Sequence, residues 1–367
     1  MIVGYDATTL GGETSGVGGY TRRLLDALVA GADPSIERLL VLSNRPVPIE
    51  PGPRVEIHAQ GRLGPRALWM QLELPRLLGR LRPDLVHFTN YMAPLSIRVP
   101  YVVSFHDLTL RLLPHLHTLK KRLLTSALLP RVARGARLVL TPSESSSSDV
   151  VQLLGVEPAR VRTIPYAAAA TFRPVAEGAA ALAARGVRGP YLLHVGTLEP
   201  RKNLPLALRA FARIAGRFPD TTFVVAGPRG WDHGAARREA VRSGLTSRAV
   251  FLGYVPEEEL PRLYSHAAAL VYPSLYEGFG LPVVEAMACG APVLTSLSSS
   301  LAEIAAGAAV LVDPQNEAAL AAAMAALLSD EGLRVELREK GFRRAASWSW
   351  RRTAERTVEA YREAAGR

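Results

Sequence analysis

With 367 residues, 48% of them hydrophobic, the chain has apolar material for two cores of ordinary domain size, and it contains no uninterrupted apolar run long enough to span a bilayer. Lysine and arginine number 44 against 33 acids, a net charge of +11 that suits an anionic partner: nucleotide phosphate, anionic lipid or nucleic acid. The one cysteine, Cys289, excludes an intrachain disulfide and lies in an apolar run that reads as core, and no Cys/His cluster has zinc-site spacing.

Met1 leads directly into the strand-like MIVGYD, with no charged n-region and apolar h-region, so secretion is not expected. A glycine-rich loop follows, in which Gly16, Gly18 and Gly19 precede the helix GYTRRLLDALVAG. It is not the dinucleotide fingerprint, because the position three after Gly18 is Thr21. RLLVLSN, RVEIHA, DLVHFTN, YVVSFHD and ARLVLTPS are short apolar runs that suit buried parallel strands, and helical patterns such as RALWMQLELPRLLGRLRP lie between them. His106 ends one of these strands beside Asp107, a position that is commonly structural. From Leu108 to Ser143 no acid occurs, while Arg111, Lys120, Lys121, Arg122, Arg131, Arg134 and Arg137 do. LHTLKKRLLTSALLPRVARG within that stretch suits an ordinary surface helix and, equally, a basic amphipathic helix on an anionic membrane surface.

The stretch from 173 to 189 is polar, contains Gly and Pro, and lacks strand character, so it is expected to link two domains. The pattern then restarts: YLLHVGT, TTFVVAG, AVFLGYV, AALVYPS and APVLTS read as strands, with LPLALRAFARIAGRFP as a helix after the first. The expected organisation is a Rossmann-like domain over 1–172, a linker over 173–189, a second Rossmann-like domain over 190–347 and a closing helix over 348–367. Two doubly wound domains on one linker are expected to face a cleft, a common place for a ligand.

Two loops of the second half carry the chemistry. In HVGTLEPRKNLPLALRAF the strand ends at Gly196, and Arg201 and Lys202 stand just before a helix. Adjacent cations there can neutralise a diphosphate, although the pair also suits a solvent-exposed helix start. In VYPSLYEGFGLPVVEAMACGAPVLT, Pro282 is placed to open a helix that stops at Gly290. The loop delivers the N–H groups of Phe279, Gly280 and Leu281 to the helix N-terminus, a good phosphate site. Glu277 precedes the helix and Glu285 lies in its first turn. The two carboxylates can hold hydroxyls in one cavity; taken alone, they better suit a solvated loop and a complement to the helix dipole.

EGFGLPVVEAMACGAPV closely resembles the signature of the large retaining GT-B family of glycosyltransferases, family 4. EPRKN, the glycine loop, the HD pair, TPSESSSSDVVQLLGVEPARVRTIP and the closing WSW helix extend the resemblance over nearly the whole chain. It implies an α/β GT-B fold of two facing Rossmann-like domains, with the C-terminal helix returning to the N-terminal one. By the same resemblance Glu277 holds donor-sugar hydroxyls, Glu285 holds ribose hydroxyls, and the N–H groups of 279–281 face the diphosphate. Arg201 and Lys202 bind the donor phosphates beside Gly196, and Gly18 contacts the donor from the N-terminal loop. His106 lies near the reacting sugar as a stabilising contact, with no nucleophile role. Tyr254 and Val255 border the nucleobase, and Glu303 is structural. The sequence departs from the family after RTIP, where YAAAATFRP stands in place of an Asn-Gly-Val-Asp type turn, so any role of that turn is in doubt.

The resemblance further implies transfer with retention of anomeric configuration by front-side displacement. No Asp-x-Asp suggests a metal-bound diphosphate, so neither metal nor other cofactor is expected. HDLTL, EPRKN and SSSLAE resemble branches that use GDP-mannose in polysaccharide assembly, with UDP-sugars as the alternative. The expected partners are a nucleotide-sugar donor and a saccharide or lipid-linked acceptor, on a cytoplasmic protein able to sit at the inner face of the cell membrane. The rival readings are a GT-B-shaped epimerase, a phosphorylase, which would need a pyridoxal lysine, and a nucleotide-sugar sensor. Nucleic-acid binding is suggested by charge alone, without an aromatic pattern or motif to support it.

Overall fold

A computed structural model describes residues 1–11, 16–59, 61, 65–114, 128–230 and 233–366. By contacts the chain forms two units, Met1–Tyr166 with Ser349–Arg367, and Ala167–Trp348. The change of unit therefore falls between Tyr166 and Ala167, ahead of the expected linker. Residues 173–189 belong to the second unit, where Ala179–Ala184 is helical.

The first unit is built on a seven-stranded sheet in the order β3-β2-β1-β4-β5-β6-β7, with every pairing parallel. Its strands are β1 Ile2–Asp6, β2 Arg38–Leu42, β3 Val55–His58, β4 Leu85–Phe88, β5 Tyr101–Ser104, β6 Leu138–Thr141 and β7 Val161–Thr163. β4, β5 and β6 are buried at every position, as a parallel sheet covered on both faces requires. β7 is a half-buried VRT of 3 residues, too short and polar to show as an apolar run. The chain order reverses between β1 and β4, and ligands of such sheets bind at the carboxyl edge of that switch point.

The first long helix is Gly16–Gly31, so Gly16, Gly18 and Gly19 lie inside its first turn instead of before it. The Thr21 hydroxyl donates to the Val17 carbonyl at 3.0 Å, a one-turn contact that fixes helical register there. Residues 12–15 of the glycine loop lie outside the described residues, as do Lys120, Lys121 and Arg122 of the basic stretch. The segment after β3 runs from Arg66 to Leu81 with a wide π turn at Trp69–Glu73. Pro75 follows that turn; it has no N–H for the Gln71 carbonyl, and a widened turn accommodates the loss.

Trp350–Ala364 is a helix of the first unit, as expected for the C-terminal segment. It packs against Gly16–Gly31. Tyr361 is fully buried and its hydroxyl meets His87 Nδ1 at 2.6 Å, while Thr353 donates to the Pro165 carbonyl at 2.7 Å. Arg362 adds a forked contact to Asp33 at 2.8 and 3.0 Å.

The second unit holds a six-stranded parallel sheet in the order β10-β9-β8-β11-β12-β13. Here β8 is Tyr191–Val195, β9 Thr222–Ala226, β10 Ala249–Gly253, β11 Ala269–Tyr272, β12 Val293–Ser296 and β13 Val310–Val312. Its core fills with Leu204, Leu208, Phe211, Phe223, Val271 and Met324. The switch point lies between β8 and β11. Among the described residues no helix is long and apolar enough to cross a membrane, and no group of His, Cys, Asp and Glu could hold a metal ion. Cys289 is buried, as expected, and burial pushes its thiol up to about 12.

Candidate active site

The second unit's switch point brings together the two loops singled out by sequence. β8 runs into Gly196, at φ 143°. An added Cβ at Gly227, the matching residue after β9, would fall 1.9 Å from the Gly196 carbonyl oxygen, so backbone packs on backbone here. Pro200–Lys202 makes one 3-10 turn, and Asn203, left-handed at φ 57°, turns the chain into the Leu204–Ile214 helix. The Asn203 amide donates to the Pro314 carbonyl at 2.6 Å, and Leu275 N–H donates to the Arg201 carbonyl at 2.8 Å. The turn carrying the cations is thereby tied to the loop after β11.

Glu277 stands at the centre of an ion cluster. Its Oε2 accepts from Arg201 Nη1 at 2.6 Å, and its Oε1 accepts from Lys202 Nζ at 2.6 Å and from the Tyr272 hydroxyl at 2.9 Å. Lys202 also bonds the Tyr272 hydroxyl and lies 4.7 Å from that ring's centroid. Ser299 and Ser300 fix the Glu277 backbone: its N–H donates to Ser299 Oγ at 3.0 Å, and Ser300 Oγ donates to its carbonyl at 2.8 Å. Only 6% of Glu277 is exposed, which rules out a solvated loop residue.

Burial pushes the Glu277 carboxyl up, but Arg201 and Lys202 outweigh it and hold it at about 2. Burial and the neighbouring Arg201 draw Lys202 below the usual lysine range, opposed by Glu277. The two directions meet in one ion pair, since a carboxylate between two cations stays ionised at neutral pH. Because Glu277 is depressed from 4.5, its stabilising contribution is complete above about pH 4.5 and lost as pH falls toward 2. The shift corresponds to about 3 kcal/mol. Acid unfolding should therefore show the wild type converging on Glu277→Gln between pH 4.5 and 2. Parallel stability curves across that window would refute the linkage.

The Leu281–Ala288 helix opens after Gly280, at φ 99°, where an added Cβ would fall 2.5 Å from Leu301 Cδ2. Phe279 is buried and meets Trp348 edge-on at 6.0 Å. Glu285 is the fifth helical residue, so it lies beyond the first turn in which it was expected, and the first turn carries no acid. It is buried and accepts from the Tyr264 hydroxyl at 3.0 Å, which removes the reading of a surface charge on the helix dipole. Tyr254 follows β10 with 56% of its surface exposed, while Val255 is buried. Glu303 lies on the Ser299–Ile304 helix, whose start supplies the two serines of the Glu277 loop.

Gly18 and His106 belong to the first unit. Gly18 is buried in the first helical turn. His106 Nδ1 meets the Tyr166 hydroxyl at 2.6 Å, and Nε2 meets the Thr89 carbonyl at 2.8 Å. A carbonyl only accepts, so Nε2 carries the proton and Nδ1 accepts from Tyr166. Burial draws His106 below the ordinary histidine range. A hydrogen bond from either ring nitrogen to a sugar requires one of these two to be exchanged.

Sequence reasoning passed over Tyr272, Tyr264, Ser299 and Ser300. The serines carried a usable signal in the SSSLAE run; in the structure Ser299 is left-handed there, at φ 51°. The tyrosines end or follow apolar runs and read as core.

Comparison with known proteins gives the family and the fold. Residues 184–344 match the family model described as Glycosyl transferases group 1, and residues 14–168 match that described as Glycosyltransferase Family 4. The chain is 32% identical over 287 residues to O-antigen chain mannosyltransferase B of Escherichia coli, an alignment covering 75% of this chain and 73% of that protein. Sucrose-phosphate synthase from Thermosynechococcus elongatus superposes with a TM-score of 0.80 at 20% identity, over 99% of this chain and 98% of that one. Anabaena Alr3699/HepE in complex with UDP-glucose superposes with a TM-score of 0.78 at 18% identity, over 98% and 99% of the two chains. At these identities the two superpositions establish the fold.

Proposed function

The chain belongs to the group 1 glycosyltransferases, family 4, and from that premise we propose that it transfers mannose from GDP-mannose, with retention, to a hydroxyl of a saccharide or lipid-linked acceptor. It is a glycosyltransferase of the GT-B type. The observation that carries the nucleotide-diphosphate donor reading is the Arg201–Glu277–Lys202 cluster at the switch point. Support for mannose comes from the mannosyltransferase relative.

In the front-side mechanism the acceptor hydroxyl forms its bond to the anomeric carbon on the face from which the diphosphate leaves. Its proton passes to the departing phosphate oxygen. Arg201 and Lys202 stabilise the charge that develops there, aided by the N-terminus of Leu281–Ala288. When the diphosphate takes the two cations, the Glu277 carboxylate turns to the sugar hydroxyls. Glu285, steadied by Tyr264, accepts from the ribose. The two cations supply the positive charge that a divalent ion would otherwise bring.

GDP release from GDP-mannose, measured with acceptor in excess EDTA, tests this directly. Turnover is expected to equal that without chelator, and GDP should raise the melting temperature more than UDP does. Activity lost in EDTA and restored by a divalent ion would overturn the metal-free mechanism, and preferential stabilisation by UDP would overturn the donor.

A further inference from the structure

The first unit's own switch point carries a polar constellation that the donor chemistry leaves unused. Asp6 ends β1 and is 0% exposed. Its Oδ1 accepts from Thr8 N–H at 3.0 Å and from Thr8 Oγ1 at 2.6 Å. Among the described residues its buried Oδ2 has no hydrogen bond, and Arg66 Nη2 lies 3.5 Å from it. Arg66, whose side chain is 26% exposed, likewise buries Nε and Nη2 with no hydrogen-bond acceptor among the described residues. Buried polar groups are normally hydrogen-bonded, so an acceptor and neighbouring donors left without such bonds call for an explanation.

The position is next to His106. The Asp6 carbonyl accepts from Thr89 Oγ1 at 2.7 Å, and the Thr89 carbonyl in turn accepts from His106. Two hydrogen bonds thus link the end of β1, the end of β4 and the site histidine. On the other side of β4, Asp107 repeats the Asp6 arrangement, its Oδ1 taking Thr109 N–H at 3.1 Å and Thr109 Oγ1 at 2.7 Å. The buried Tyr91 phenol senses both groups: burial raises it, Asp107 raises it further, and Arg66 draws it down.

The charge of this pair selects among ligands. The Asp6 carboxylate stands 3.5 Å from the Arg66 guanidinium, so a phosphate approaching that cation meets a like charge. A hydroxyl both donates and accepts, so it satisfies the Asp6 carboxylate and the Arg66 guanidinium together. We propose that Asp6 and Arg66 form an acceptor subsite that binds hydroxyls of an uncharged terminal sugar beside His106. This rests on the transferase reading above and names the acceptor class for it.

The test is binding of methyl α-mannobioside and of mannose 6-phosphate to the full chain, measured by calorimetry with GDP present and absent. The wild type should bind the neutral disaccharide more tightly than the phosphorylated sugar. Arg66→Gln should weaken the disaccharide at least tenfold and Arg66→Lys less, with GDP affinity close to wild type in both, which shows that each variant is folded. Tighter binding of mannose 6-phosphate, equal disaccharide affinity in Arg66→Gln, or no saccharide binding at all would overturn the subsite. Failure of the transferase reading would appear separately, as absence of nucleotide binding by the wild type with the saccharide response intact.

Discussion

Glu277→Ala should lower sugar transfer by about two to three orders of magnitude while nucleoside diphosphate affinity holds or rises. The reason lies in how the carboxylate is used. Each of its oxygens holds one of the two cations, Arg201 and Lys202, at 2.6 Å. A diphosphate must compete with Glu277 for those cations, so removing the carboxylate removes a competitor. The sugar, by contrast, loses the group that accepts from its hydroxyls, and positioning fails. Leaving Lys202 buried without its partner costs about 3–5 kcal/mol of stability, so the assay belongs well below the melting temperature. Calorimetric titration with GDP, beside initial rates, reads both effects. Affinity falling in parallel with rate would show that Glu277 holds the phosphate site together and does not touch the sugar.

Lys202→Ala should produce a comparable loss of transfer with the opposite effect on binding. Its ammonium is buried on the face of Tyr272 and reaches the Glu277 carboxylate, and no second lysine neighbours it in the chain to replace it. A hydrogen bond to a charged group contributes about 1.5–3 kcal/mol, so GDP affinity should fall roughly 10- to 150-fold. The rate should fall further, about two to three orders of magnitude, because the lost charge acts where phosphate charge develops. The pair of variants thereby separates holding the sugar from holding the leaving group. Unchanged GDP affinity in Lys202→Ala would overturn the assignment of this lysine to the diphosphate.

Much of this was legible beforehand, for physical reasons that also mark where legibility ended. The long interior strands announced themselves because both faces of a parallel sheet are covered, which forces unbroken runs such as LVHF and YVVS. The edge strands Val161–Thr163 and Val310–Val312 did not, being too short and too exposed to need such runs. Arg201, Lys202 and Glu277 were singled out through the resemblance of EPRKN and EGFGLPVVEAMACGAPV to the family, since charges on loops after strands otherwise suit exposed positions. The Asp6–Arg66 pair escaped notice because its members lie far apart in sequence and neither sits in a motif. Its meaning comes from the sheet order, which sets the end of β1 beside the end of β4 and the segment after β3 over both. Glu285 shows a finer limit: a helix start misplaced by one residue shifts a carboxylate out of the first turn.

The closing helix has a consequence for how the protein is made. The first unit is interrupted at Tyr166 and completed only by the segment from Ser349 onward. Tyr361, which fills its interior against His87, leaves the ribosome long after the strands it covers. At about 5–20 residues per second, the roughly 200 intervening residues take about 10–40 s. Throughout that interval the second unit, continuous in the chain, can complete its own sheet, while the apolar stripe of Gly16–Gly31 waits without its cover. The unit begun first is the last to close, and through that delay its uncovered apolar surface is open to association with other chains.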